Sequence, residues 1–289
     1  MKNLIALTMA LAILFTLGAC GAHEAPAATT AAATTEAAAK STAEGSETTA
    51  VAEGPETAAV LDSGVLKANT LVVGISSDYP PFESLDDNGN IVGFDADMAT
   101  YLASVITTSD GTPYHVEFVN MDFHNIISAL QLDQIDLGIA AFSYSPERKC
   151  TFSEPYYSSA QVVAVRADSD FTSIADLNGK LVVAGEGTVG YQAATEMIEG
   201  AEVTNAGGSY LTMFEMVRTG QCDAIVADST VAQTYVDSGN FKIIDTLTSD
   251  ELCVTVKEGN DVLVEAVNKA IDQFMASGEY ENLREKWGV

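Results

Sequence analysis

The stretch Ile135-Asp-Leu-Gly-Ile-Ala-Ala-Phe-Ser-Tyr-Ser-Pro-Glu-Arg-Lys-Cys-Thr-Phe-Ser-Glu-Pro-Tyr-Tyr157 decides how the rest of the chain is read. Its apolar run from Leu137 to Phe142 predicts a buried strand. The run stops at Ser143-Tyr-Ser-Pro-Glu-Arg148, where Ser-x-Ser-Pro-Glu predicts a turn leading into a short helix. Hydroxyls, free backbone N–H groups and one guanidinium then sit at the carboxyl end of a strand, where open α/β sheets bind ligands. Arg148 is one of four arginines in a strongly acidic chain, and an arginine fork grips a carboxylate with two hydrogen bonds. On this stretch alone two readings stand side by side: a site for a small carboxylate, or a surface arginine paired with one of many acids.

Upstream, residues 1–20 combine Lys2, an apolar stretch from Leu4 to Leu17 and small residues before Cys20. This is the pattern of an export signal, too short to remain as a membrane span. Leu17-Gly-Ala-Cys20 resembles a bacterial lipobox, which implies cleavage before Cys20 and a diacylglycerol on its thiol. An ordinary secretory signal with an incidental cysteine is the alternative. Residues 21–63 are Ala, Thr, Glu, Gly and Ser with almost no large apolar side chain, a composition that predicts a disordered acidic tether. The expected location is outside the cytoplasm, at a bacterial cell membrane, held by lipid.

Residues 64–289 suffice for one or two domains. Of the net charge of −28, Lys2 contributes +1 and residues 21–63 contribute −6, so −23 remains on the globular part. That excludes a nucleic-acid partner, since phosphate binding needs a basic face. Cys150, Cys222 and Cys253 cannot all pair, and no Cys-x-x-Cys spacing points to zinc. Buried free thiols and a Cys150–Cys253 disulfide both remain open. No cofactor or metal is expected.

Along the globular chain, a strand ending at Ile75 leads into the double-proline loop Ser76-Ser-Asp-Tyr-Pro-Pro-Phe-Glu83, and Asn88-Gly89 marks a hairpin. Gly93-Phe-Asp-Ala-Asp97 opens a helix, with its two aspartates favoured at the positive end. Val116–Val119 is a strand, and Asp122 caps a helix over Phe123–Leu130. Strands follow at Gln161–Arg166, Leu181–Ala184, Ala224–Ala227 and Leu252–Val256. Helices fall between them at Ile174–Lys180, Tyr191–Ile198, Met213–Arg218 and Thr230–Ser238, with two more closing the chain. This alternation predicts a parallel α/β sheet.

Gly185-x-Gly187-x-x-Gly190 matches a dinucleotide fingerprint, but the acid expected about 20 residues on is absent. What survives is a set of backbone N–H groups at a helix N-terminus, which receives a carboxylate as readily as a phosphate.

Taken in order, Tyr79-Pro-Pro-Phe-Glu83, Gly93-Phe-Asp-Ala-Asp97, Ser145-Pro-Glu-Arg-Lys149, Phe152-Ser-Glu-Pro-Tyr156, Gly187-Thr188, Cys222-Asp-Ala-Ile-Val-Ala-Asp228 and Gly278-Glu-Tyr-Glu-Asn282 resemble the family 3 extracellular solute-binding proteins. These are the amino-acid receptors of ABC importers, and the resemblance spans about residues 65–289. It implies a two-lobe, type II periplasmic-binding-protein-like α/β fold. Residues 64–156 plus 252–289 would form lobe one and residues 160–247 lobe two, joined by a two-strand hinge near Tyr156–Ala160 and Leu247–Leu252.

By the same resemblance, Arg148 grips the ligand α-carboxylate, helped by Ser143 and the N–H groups of Thr188 and Val189. Asp228 takes the α-ammonium, with the Ala141 carbonyl as second acceptor, while a helix N-cap is its compatible structural role. Tyr79 and Phe123 sandwich the ligand side chain. Ser76 stands where receptors for basic residues often carry an acid, which favours a neutral polar or sulfur-containing amino acid. The implied partners are an ABC permease and ATPase, the implied state a monomer. The rival readings are a dehydratase-like enzyme, for which Glu186 is the candidate acid or base, and an amino-acid-sensing module. His115 and His124 are expected at the surface.

Overall fold

The structure, a computed structural model, describes residues 58–59, 66, 69–205 and 207–289. The export signal, Cys20 and nearly all of the 21–63 segment lie outside the described residues. Strands β1 (Ala58–Ala59), β2 (Thr70–Ile75), β3 (Ser84–Leu85) and β4 (Ile91–Val92) come first, then helix α1 (Phe94–Val105). Next are β5 (Ile106–Thr107), β6 (His115–Asn120), α2 (Phe123–Gln131), β7 (Leu137–Ser143) and β8 (Thr151–Arg166). A single 3-10 turn over Ile174–Leu177 precedes β9 (Leu181–Val183), α3 (Val189–Met197), β10 (Glu202–Thr204) and α4 (Tyr210–Arg218). The chain closes with β11 (Ala224–Asp228), α5 (Ser229–Asp237), β12 (Phe241–Val256), α6 (Asp261–Ala276) and α7 (Glu279–Trp287).

One eight-stranded sheet runs in the order β10-β9-β11-β8-β12-β7-β2-β6. Its flanks are parallel: β2 with β6 and β7, and β9 with β10 and β11. Its centre is antiparallel, because β8 and β12 return through the sheet against each other and against β11 and β7. The sheet is therefore mixed, not purely parallel as the strand–helix alternation predicted. Helices cover the sheet on both faces, so β2, β7 and β11 are buried at every position, and that is why they read as unbroken apolar runs.

The two central strands are each 16 residues long, more than twice the lengths predicted from their apolar halves. Their polar halves gave no alternation to read. Between Ser158–Ala160 and Ser249–Glu251 the two strands pair only with each other in the ladder, forming a two-stranded ribbon between the two flanks. On one side of it lie β2, β6 and β7 with α1, α2, α6 and α7; on the other lie β9, β10 and β11 with α3, α4 and α5. The C-terminal helix docks on the first side, where Asp97 accepts from Trp287 Nε1 and Lys286 Nζ, each at 2.6 Å.

Three further expectations need correction. The segment after Pro146 forms a turn, with Arg148 N–H donating to the Ser145 carbonyl at 3.2 Å. β8 begins at Thr151, so there is no length of chain for a helix. Asp122 stands at the N-cap of α2 but its side chain makes no capping bond. Two residues of the expected tether, Ala58–Ala59, form β1, which pairs in parallel with β5.

Candidate functional site

Strands β2, β7, β9 and β11 all end on one cavity of about 410 Å³. Their carboxyl ends supply Ser76, Ser143, the Gly185–Val189 loop and Asp228. All nine residues expected to touch ligand line it: Ser76, Tyr79, Phe123, Ala141, Ser143, Arg148, Thr188, Val189 and Asp228.

Arg148 is set by the turn after β7. Its Nη1 donates to the Ser143 carbonyl at 2.8 Å and its Nη2 to the Gly187 carbonyl at 3.1 Å, which ties the two sides together. The guanidinium carbon lies 5.3 Å from the centroid of Phe123 and 5.1 Å from that of Phe142, and the two rings stack at 4.4 Å. Phe123 thus seats the arginine as well as lining the cavity, a role beyond the expected sandwich. Burial depresses the Arg148 pKa. No carboxylate lies within ion-pair distance of it among the described residues.

Asp228 closes β11 and is 4 % exposed. Tyr79 Oη donates to its Oδ2 at 2.6 Å, and Ser159 Oγ and Gln161 Nε2 donate to its Oδ1 at 2.9 and 3.1 Å. The Asp228 N–H donates back to Tyr79 Oη at 3.0 Å. Burial is the main cause that pushes the carboxyl up to about 6. It occupies the N-cap position of α5, yet its side chain makes no capping bond, so the expected capping role is absent. Every donor it has among the described residues is neutral.

The glycine loop behaves in part as expected. Thr188 caps α3 by accepting from the Tyr191 N–H at 3.1 Å, but its own N–H donates to the Gly185 carbonyl at 3.2 Å. The N–H of Val189 opens the helix, where first-turn donors have no carbonyl a turn earlier. Gly187 sits at φ 75°, a conformation that glycine adopts freely.

Ala141 has φ 45° in the middle of β7, an uncommon state for a residue with a Cβ. Asp95 holds it there, accepting the Ala141 N–H at 2.8 Å and the Tyr156 hydroxyl at 2.9 Å on the same oxygen. Asp95 is fully buried in the first turn of α1, where the helix end favours it as expected, and this bond gives it a second role. Burial raises its pKa to about 6.

Residues that sequence reasoning missed complete the walls. Asp78 reaches from the double-proline loop to the Tyr210 N–H that opens α4, at 3.0 Å. Tyr210 stands edge-on to Tyr79 at 4.5 Å. Gln161 bridges Asp228 and Asp250, and Asn205 donates to Glu186 at 3.1 Å. Gln161 left one trace in the sequence, a polar residue opening the otherwise apolar run Gln161–Val165. His124 is exposed as expected but also lines the cavity, and His115 bonds Thr70 Oγ1 at 3.1 Å. Among the described residues, Cys150, Cys222 and Cys253 are free thiols, and burial pushes Cys150 up to about 11 and Cys253 up to about 12.

The cavity between the two sheet flanks thus carries on its walls a guanidinium and a carboxylate with no ion-pair partner among the described residues. Over residues 71–289 the sequence matches the bacterial extracellular solute-binding proteins, family 3. The chain belongs to this family.

Among its relatives, the arginine-binding extracellular protein ArtP of Bacillus subtilis is 30% identical over 224 residues, covering 75% of this chain and 85% of that one. The L-cystine-binding protein TcyJ of Escherichia coli is 30% identical over 237 residues, 78% of this chain and 86% of the relative. The crystal structure of an ancestral amino acid-binding protein, a precursor of cyclohexadienyl dehydratase, is similar with a TM-score of 0.69 at 34% identity. It covers 76% of this chain and 95% of that one. The fold is the two-lobe type II periplasmic-binding-protein fold, with β8 and β12 as the two strands that connect the lobes.

Proposed function

We propose that this chain is an extracytoplasmic receptor that binds one amino acid between its lobes and hands it to an ABC importer. The observation that carries the reading is the pair Arg148 and Asp228, opposite charges lining one cavity with no counter-ion among the described residues. Burying either charge unpaired is costly, and a zwitterion neutralises both at once. In this reading Arg148, Ser143 and the Val189 N–H receive the α-carboxylate, while Asp228 and the Ala141 carbonyl receive the α-ammonium. Tyr79 and Phe123 flank the side chain, Thr188 fixes the loop, and Ser76 faces the same space.

Lobe one is then residues 64–156 plus 252–289 and lobe two residues 160–247, turning about the ribbon of β8 and β12. The ligand bridges both lobes, so binding and closure are coupled. The names of the relatives, receptors for arginine and for cystine, support an amino-acid ligand. Anchoring through a lipid on Cys20, association with a permease and ATPase, and a monomeric state belong to the same proposal.

Reversible binding is favoured over turnover because Arg148 and Asp228 are held by neutral groups, an arrangement that grips both ends of an amino acid. The test is calorimetry against the common L-amino acids, with chromatography of the mixture afterwards. One L-amino acid is expected to bind with 1:1 stoichiometry and to be recovered unchanged. Conversion of the bound compound, or no binding by any of them, would overturn the proposal.

A further inference from the structure

Beside Asp228 stand two further buried acids, Glu83 and Asp95, neither of which the reading above brings to the ligand. Glu83 ends the double-proline loop and is 1 % exposed, and Asp95 lies in the first turn of α1. The two carboxyl groups are hydrogen-bonded to each other. Two carboxylates cannot make that bond, because an ionised carboxyl only accepts. Glu83 Oε2 and Asp95 Oδ1 are moreover sealed from solvent with no donor from any other group among the described residues. One proton between the pair makes the bond and gives these oxygens the partner they lack.

The surroundings decide which residue holds it. Asp95 Oδ2 accepts twice, from the Ala141 N–H at 2.8 Å and the Tyr156 hydroxyl at 2.9 Å, and donors of this kind favour the charge on Asp95. The ionisable groups that act on Glu83 are Asp78 on its own loop, Asp95 on α1, Tyr156 on β8 and Asp228 at the end of β11. Burial, followed by the charges of Asp95, Asp78 and Asp228, pushes the Glu83 carboxyl well above the usual carboxylate range. Glu83 is the acid of the pair and Asp95 the carboxylate.

We infer that Glu83 is a positioning residue of the amino-acid site: it keeps its proton at neutral pH, donates it to Asp95, and through Asp95 fixes the Ala141 carbonyl where the ligand ammonium lands. The inference rests on the amino-acid-receptor reading above and gives a task to a residue that need not touch ligand. Asp95 holds Ala141 at φ 45° by accepting its N–H, so whatever orients Asp95 orients the carbonyl of the same residue. The other end of the bond is tied to the ammonium site as well. Tyr79 N–H donates to the Glu83 carbonyl at 2.9 Å, and the Tyr79 hydroxyl donates to Asp228 Oδ2 at 2.6 Å. Asp95 N–H donates to the Phe82 carbonyl at 2.9 Å, which joins loop and helix a second time. A buried neutral acid supplies a donor here without adding a like charge beside Asp95 and Asp228.

The experiment combines infrared spectroscopy with calorimetry on the full chain, Glu83→Gln and Glu83→Ala, using the L-amino acid that the wild type binds best. At pH 8 Asp95 and Asp228, both raised to about 6, have lost their protons. The wild type is then expected to show the C=O band of a buried protonated carboxyl, shifted in D2O and absent from Glu83→Gln. Glu83→Ala removes the donor and is expected to bind about tenfold more weakly, the order of one charge-assisted hydrogen bond. Glu83→Gln donates an amide N–H to Asp95 without titrating, and is expected to restore most of that affinity. No band that Glu83→Gln removes, a Gln variant as weak as the Ala variant, or an Ala variant as tight as the wild type would overturn the inference and leave the receptor reading standing. Should Glu83→Ala fail to fold, the band and the affinity of Glu83→Gln decide. If the wild type binds no L-amino acid, the receptor reading fails and the positioning role with it, while the infrared comparison still decides where the proton lies.

Discussion

Among the described residues, Arg148 and Asp228 are each held by neutral groups, and the two respond to substitution and to pH in different ways. Arg148→Ala leaves the ligand carboxylate buried without its cation, and the expected loss is at least ~3 kcal/mol, about two decades in affinity. Titration calorimetry giving near-wild-type affinity for this variant would contradict the role. Asp228 has its pKa raised to about 6 in the empty cleft, chiefly by burial. Below that value a proton must leave before an ammonium can bind, so affinity is expected to fall about tenfold per pH unit at most as pH drops through 6. Asp228→Asn should bind weakly with a flat profile across the same window, and a wild-type affinity that does not change between pH 5 and 7.5 would rule the role out. Both residues were legible in the sequence because their motifs stand at strand ends. The Ala141 backbone conformation and its Asp95 anchor were not, since nothing in the residue types of an apolar strand announces a left-handed alanine.

Among the elements, β11, α3 and β8 meet at Gly190. A Cβ there would collide with Gln161 Oε1, and the same Gln161 amide donates to Asp228 and Asp250. Gly190→Ala is expected to leave a folded protein, because the displaced atom is the end of a side chain, while lowering affinity about tenfold through Asp228 as one charge-assisted hydrogen bond is lost. Circular dichroism would check the fold and calorimetry the affinity; an unchanged affinity would show that Gln161 does not position Asp228. Apolar runs made the buried strands and the helix order readable. The long returns of β8 and β12 were unreadable in their polar halves, such as Glu154 to Ser159. There the strand is held by pairing with a partner almost a hundred residues away and shows no periodicity of its own.

For the whole molecule, the buried acids bear on stability. The folded pKa values of Asp95 and Asp228 are raised to about 6 from an ordinary value of 3.8, and burial also raises that of Glu83. Such groups stabilise the fold fully below the unfolded value, and that contribution is lost as pH rises through the folded value. The surface acids with depressed values, among them Asp86, Asp110 and Asp176, lose their contribution only as pH falls below the usual carboxylate range. The empty receptor should therefore melt at a higher temperature at pH 5 than at pH 7.5, and a Tm that rises across that interval would refute the balance. Ligand adds stability by mass action, about 2.7 kcal/mol at a concentration of 100 Kd. The central claim is that an amino acid joins the lobes through its α-carboxylate on Arg148 and its α-ammonium on Asp228. The most direct measurement is calorimetry of the best-binding L-amino acid beside its α-amide and its Nα-acetyl derivative. Each derivative, having lost one charge, is expected to bind at least about 100-fold more weakly. If either derivative binds as tightly as the parent, the charge on that end is not what holds the ligand, and the account is contradicted.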